Sequence, residues 1–148
     1  MASVHRNQEL NDLLIEVVRS LLHYTSEAWP WASAGQHKSR QTIEDLAARQ
    51  QHHVAAIVDL LVSRRWIIDF GMYPAEFTDL HYVGVDYLLV LLVLNQTTML
   101  ETIEKTVDAV RDDAAASELV KRLLDDQRDI VKTLKELAQS HQDKILLA

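Results

Sequence analysis

Three glutamines occupy positions where a helical core is expected to be apolar. Gln50 lies between Leu46/Ala47 and Val54/Ile57, Gln96 between Leu92/Val93 and Leu100/Ile103, and Gln127 between Leu123/Leu124 and Ile130/Val131. His53 follows Gln50 by one helical turn on nearly the same face. A buried amide without a partner costs about 1–3 kcal/mol, so the recurrence predicts a polar layer whose members meet each other or water.

A second candidate cluster is His23, His81 and Asp86. Asp86 interrupts the run Tyr82–Val90, whose other residues are mostly of buried types. A buried carboxylate needs a cation, strong donors or a proton. Pairing with the neighbouring connection or the first helix is the plain expectation, and convergence with His23 and His81 is the site-forming one. His23 and Glu27 are spaced i, i+4, a pair that either shares an ion or lies on a solvated face. His52 and His53 point about 100° apart on a helix and cannot face one ion together. His5, His37 and His141 lie near expected ends or loops and read as exposed. The acid pairs Asp112-Asp113 and Asp125-Asp126 read as surface charge. The sequence contains no Gly-x-Ser-x-Gly, no Gly-rich phosphate loop and no His-Glu-x-x-His.

The elements that must position these residues follow from a 3.6-residue apolar period. It predicts one domain over residues 1–148, with helices at about 7–28, 42–65, 78–111 and 114–140. Pro30 ends the first helix, Thr42-Ile-Glu-Asp45 resembles a capping box, and Thr78 is the expected cap of the third. The connection from Trp66 to Phe77 is rich in aromatic and aliphatic residues. Fully extended it reaches roughly 40 Å, about the length of the second helix, so a strap along the bundle is favoured over a short link. Trp29, Trp31, Phe77 and Tyr82 are then expected to cluster at one end. The fold class is all-α: an antiparallel four-helix bundle with a long crossover between its second and third helices.

In that order of helices, and in Gln50-Gln-His-His53, Gln96 and Gln127-Arg-Asp-Ile130, the chain resembles the ferritin-like superfamily, especially its rubrerythrin-type members. The family pattern places Glu on helices one and three and Glu-x-x-His on helices two and four, together binding two iron or manganese ions. Gln50 stands in the place of the helix-two Glu, with His53 as the motif's His. Gln127 replaces the helix-four Glu and Ile130 its His. Gln96 falls near the helix-three carboxylate, and helix one offers only Val17, Val18 or Leu21. Two divalent ions in a dry core need several anionic oxygens, and neutral amides supply none. The resemblance therefore implies the scaffold with a degenerate di-metal site.

Composition sets the outer limits. Of 148 residues 48% are apolar and 25% charged, with three Gly, two Pro and no Cys, a balance that suits long helices and excludes disulfides and thiolate metal sites. A net charge of −7 without a basic block argues against nucleic acid and anionic membrane surfaces. The apolar run Tyr82–Leu94 falls short of the ~20 residues of a membrane span. The opening residues lack the apolar segment of a signal peptide, and a cytoplasmic location is expected. The functional expectation is a non-enzymatic interaction or small-ligand-binding protein, without a cofactor or metal and forming a homodimer, for which the apolar Ile145-Leu146-Leu147 is one candidate contact. The alternative is a metal-dependent oxidoreductase, using iron or manganese at an atypical site of His53, His23, His81 and Asp86.

Overall fold

The computed structural model describes residues 2–28, 37–82 and 84–147, without the side chains of 2, 3, 81, 82 and 143–147. The described part is all-α: α1 (Ala2–Val18), α2 (Leu21–Glu27), α3 (His37–Ser63), α4 (Val85–Ala109) and α5 (Ala114–Leu147). A 3-10 helix covers Ala75–Tyr82, and no strand occurs among the described residues. None of these helices is long and apolar enough to cross a membrane. Trp29, Pro30 and Trp31 lie outside the described residues.

The boundaries depart from the periodic expectation in five places, the first being that α1 starts at Ala2 and not at about residue 7. The first helix is broken: Ser20 is extended, at φ −74° and ψ 164°, so one helix becomes α1 and α2. Leu21 N–H, freed by that break, donates to Asn95 Oδ1 of α4 at 3.1 Å. A donor left without an acceptor would be costly in a core, so Asn95 makes the break tolerable. Helix α3 begins at His37, and Thr42 is inside it, donating back to the Lys38 carbonyl at 3.1 Å instead of capping. Helix α4 begins at Val85 behind an extended Gly84. Thr78 lies in the 3-10 turn that precedes it, its hydroxyl bonded to Ala75 O at 2.8 Å. Helix α5 runs on past residue 140 to Leu147.

Helix α3 ends in a Schellman arrangement. Trp66 N–H reaches Leu61 O and Arg65 N–H reaches Val62 O, both at 3.0 Å. Arg65 occupies the left-handed position at φ 58°, where Gly is the usual residue. Residues 66–74 then lie along α1. Trp66 Nε1 and Asp69 N both donate to Asn11 Oδ1, Asn11 Nδ2 donates to Asp69 O, and Arg19 Nε donates to Phe70 O. Farther on, Tyr73 meets Tyr24 edge-on at 5.2 Å, and Phe77 sits 5.5 Å from Tyr24. Phe77 thus packs with Tyr24 and Tyr73, two aromatics outside the expected set; Trp29, Trp31 and the Tyr82 side chain, the other expected members of that cluster, lie outside the described residues.

Apolar packing divides into two clusters. One joins Leu10, Leu13, Leu14 and Val17 to Val54, Ile57, Leu61, Met99, Ile103 and Leu123. The other joins Leu21 and Leu22 to Ile43, Leu46, Leu88, Leu89, Leu92, Ile130 and Leu134. Early α3 therefore meets early α4, and late α3 meets late α4. At the far end Arg64 binds Asn7 Oδ1 at 2.9 Å and Asp113 through two bonds of 2.7 and 2.8 Å. Asp113 Oδ1 also accepts Ala116 N–H at 3.2 Å, capping α5. Asp113 is thus an interhelical clasp and not plain surface charge, and the Arg64 bonds hold its carboxyl below the ordinary range. Asp112 pairs with Arg6.

Candidate functional site

The boundary between the two apolar clusters is a layer of amides. Gln50 sits one turn from Ala47 and Val54, Gln96 one turn from Leu92 and Met99, and Gln127 between Leu124 and Ile130. All three are 0% exposed. Gln50 Nε2 donates to Gln96 Oε1 at 2.6 Å and to Gln127 Oε1 at 2.7 Å. Gln127 Nε2 donates to both the backbone and side-chain oxygens of Gln96 at 3.0 Å. Gln96 Nε2 donates to Asn95 Oδ1 at 3.0 Å. The expected meeting of the three glutamines is what the structure contains.

The fourth member differs from expectation. His23 Nε2 lies 2.9 Å from Gln50 Oε1, so a histidine of α2 completes the layer. His53 does not belong to it: its Nε2 lies 2.9 Å from Asp126 Oδ2, between α3 and α5. Arg49 binds Asp126 as well and reaches Asp129 at 2.9 Å. Asp126, read from sequence as surface charge, is the centre of this group. Burial raises its pKa, but the bonds from Arg49 and His53 outweigh that and leave it below the ordinary value. His53 misses the layer because the Gln50 face is already closed by Gln96, Gln127 and His23.

The second candidate cluster does not assemble. His23 belongs to the amide layer, and the His81 side chain is outside the described set. Asp86 is bonded to α5, with Oδ1 3.1 Å from His141 Nδ1. His141 Nε2 in turn lies 2.8 Å from Ser39 Oγ. His141, expected to be exposed, thus ties the starts of α3 and α4 to the end of α5. The order Ser–His–Asp is that of a catalytic triad, but the burial is inverted. Ser39 is buried while the Asp86 side chain is 48% exposed, so water screens the carboxylate that should orient the histidine. The arrangement acts as a tie between three helices.

Electrostatically the layer is neutral. Burial lowers the pKa of His23, and the bond from Gln50 only partly offsets this. An uncharged imidazole with three amides can donate and accept hydrogen bonds but cannot balance divalent cations. Among the described residues no three His, Cys, Asp or Glu side chains come together as a metal-binding group. Two openings flank the layer. One, about 430 Å³, is lined by His23, Arg19, Glu27, Gln51 and Asp59. The other, about 190 Å³, lies at the α1–α2 break and is lined by Ser20, Arg19, Glu16, Asn95, Thr98 and Met99.

Asn95 and His23 are the contributors that periodicity missed. Two consecutive amides, Asn95 and Gln96, in an otherwise apolar α4 were the available signal. His23 was singled out for the other cluster and not for the layer, because the break at Ser20 resets the helical phase. Compared with known proteins, the chain matches no family model, no curated protein and no solved structure.

Proposed function

We propose that this chain is a ferritin-like antiparallel four-helix bundle, with residues 66–77 as the crossover, in which an amide network fills the position of the di-metal ligands. On this reading it is a non-enzymatic protein that binds a small ligand or a partner. One observation carries the reading. Both N–H groups of Gln50 are bonded to Gln96 and Gln127, and its oxygen is bonded to His23. A metal entering there would break three hydrogen bonds and find no anionic oxygen in return, so the residues present do not fit a di-iron or di-manganese centre. The oxidoreductase alternative required His53, His23, His81 and Asp86 to converge, and their bonds to Asp126, Gln50 and His141 draw three of them apart.

Elemental analysis of chain purified without chelator, followed by iron(II) titration under oxygen, tests the reading. The expected result is substoichiometric metal and no oxygen uptake above buffer. Stoichiometric iron with oxygen consumption would sink it. Homodimer formation belongs to the same proposal. Tyr87, Val90 and Leu94 lie on one face of α4 and stay 57%, 37% and 60% exposed, an apolar stripe suited to a second copy. Sedimentation should give a dimer that Leu94→Lys converts to monomer; a monomer at all concentrations rejects this part.

A further inference from the structure

The cavity at the α1–α2 break holds an unexplained polar group. Ser20 is 3% exposed, and its Oγ has no hydrogen-bond partner among the described residues. A hydroxyl buried that way is costly, and it lines an opening of about 190 Å³. Beside it, Asn95 has a fixed orientation. A backbone N–H can only donate, so the Leu21 bond identifies Oδ1, which Gln96 Nε2 also uses. Asn95 Nδ2 is therefore the amide group left over, with no protein partner among the described residues.

The remaining wall has a mixed but ordered chemistry. Glu16, in the last turn of α1, and Arg19, in the turn that follows it, supply one anion and one cation. The Arg19 guanidinium is steadied by Phe70 O at 3.0 Å and stacks 4.9 Å over the Tyr73 ring. Met72, Phe77 and Met99 complete an apolar side. A carboxylate alone would engage Arg19 and leave the exposed Glu16 to water, and an amine alone would engage Glu16 and leave Arg19 without a ligand contact. A zwitterion satisfies both, and its apolar part covers the methionines.

We propose that this cavity binds a free α-amino acid with an apolar side chain. Its carboxylate is held by Arg19, Asn95 Nδ2 and the Ser20 hydroxyl, and its ammonium group faces Glu16. This deepens the small-ligand reading above and rests on it. Metal content, measured on the same sample, reports separately on the metal-free layer: a metal-loaded chain that binds amino acid would sink that reading and leave this site standing.

The test is saturation-transfer NMR and calorimetry on the full chain with L-leucine, 4-methylpentanoate and 3-methylbutylamine. Leucine should bind at least about tenfold more tightly than either single-charge analogue, as loss of one charge-assisted contact implies. Asn95→Asp keeps the acceptor oxygen that Leu21 needs but replaces the free donor with a negative charge, and should abolish leucine binding. Thr98→Trp, at an exposed wall position that tolerates bulk, should block the cavity whether or not the first variant folds. Absence of leucine binding overturns the proposal. So does equal binding of the analogues, or leucine binding unchanged in Thr98→Trp.

Discussion

His23 Nε2 donates its proton to Gln50 Oε1 across 2.9 Å, and the direction of that bond is set four residues away in the network. Leu21 N–H marks Asn95 Oδ1 as an acceptor, so Gln96 presents Nε2 to Asn95 and Oε1 to Gln50. Gln50 must then turn its nitrogen toward Gln96 and Gln127 and its oxygen toward His23. Neutral His23 is consequently the Nε2–H tautomer. A backbone break in the first helical segment thus fixes the protonation pattern of the core.

Acid stability should report this arrangement. His23 has a folded pKa below its ordinary 6.5 because it is buried, so the unfolded chain takes up a proton first. Stability is then full above pH 6.5 and is lost as pH falls below it. Asp113 and Asp126, lowered from 3.8, lose their contribution only at more acidic pH. Urea midpoints measured against pH should fall in two stages, and His23→Gln should remove the first while sparing the second. A single stage in the native chain would contradict the burial of a neutral His23.

Placing carboxylates in the layer should destabilise the chain and create a metal requirement. Gln50→Glu removes two donors from Gln96 and Gln127, and Gln127→Glu removes a third. Each lost donor leaves a buried acceptor at about 1–3 kcal/mol, so the double variant should lose at least about 3 kcal/mol without metal. Iron(II) or manganese(II) should raise its thermal midpoint, since a ligand bound only by the folded state stabilises it, and leave the native midpoint unchanged. A double variant as stable as the native chain, or one indifferent to metal, refutes the proposed relation to a di-metal scaffold.

The opposite pH limb belongs to Tyr73. Burial and the neighbouring Glu27 carboxylate push its phenol up to about 12 from 10.0. The folded chain keeps this proton where the unfolded chain releases it, so stability falls as pH rises from 10 toward 12. Tyr73→Phe should flatten that decline while leaving the acid limb untouched. Equal alkaline slopes in the two proteins would place the Tyr73 hydroxyl in water.

The parts of the fold legible in sequence are those made by local periodicity. Gln50, Gln96 and Gln127 each interrupt an apolar stripe within their own helix, and stripe residues on separate helices converge in a core, so their meeting follows. Ser20 could not be read as a break, because its neighbours are ordinary helix residues and the group that permits it, Asn95, lies 74 residues from Leu21. Asp86 and His141, 55 residues apart, pair for the same kind of reason: Asp86 stands out locally as an acid among apolar residues, but nothing near it in sequence names His141 as its partner. His53 shows the converse. Its spacing from Gln50 was right for the layer, but a residue one turn away follows a slightly rotated direction, and Asp126 was there to bond it.

Gly71 gives the sharpest test of how residues 66–74 lie on α1. Its φ of +64° is left-handed, and a Cβ built there would stand 2.7 Å from Ile15 Cγ2. Two separate penalties should therefore follow Gly71→Ala: about 1–2 kcal/mol for the backbone, and a further cost for overpacking against Ile15. Ile15→Ala removes the second without touching the first. In that background Gly71→Ala should cost only the backbone part, giving a coupling of at least about 1 kcal/mol between the sites. Equilibrium urea unfolding of the four proteins in the cycle measures it. Equal costs of Gly71→Ala in both backgrounds would mean that the segment does not pack on Ile15, and the path from Asn11 to Tyr24 would have to be redrawn.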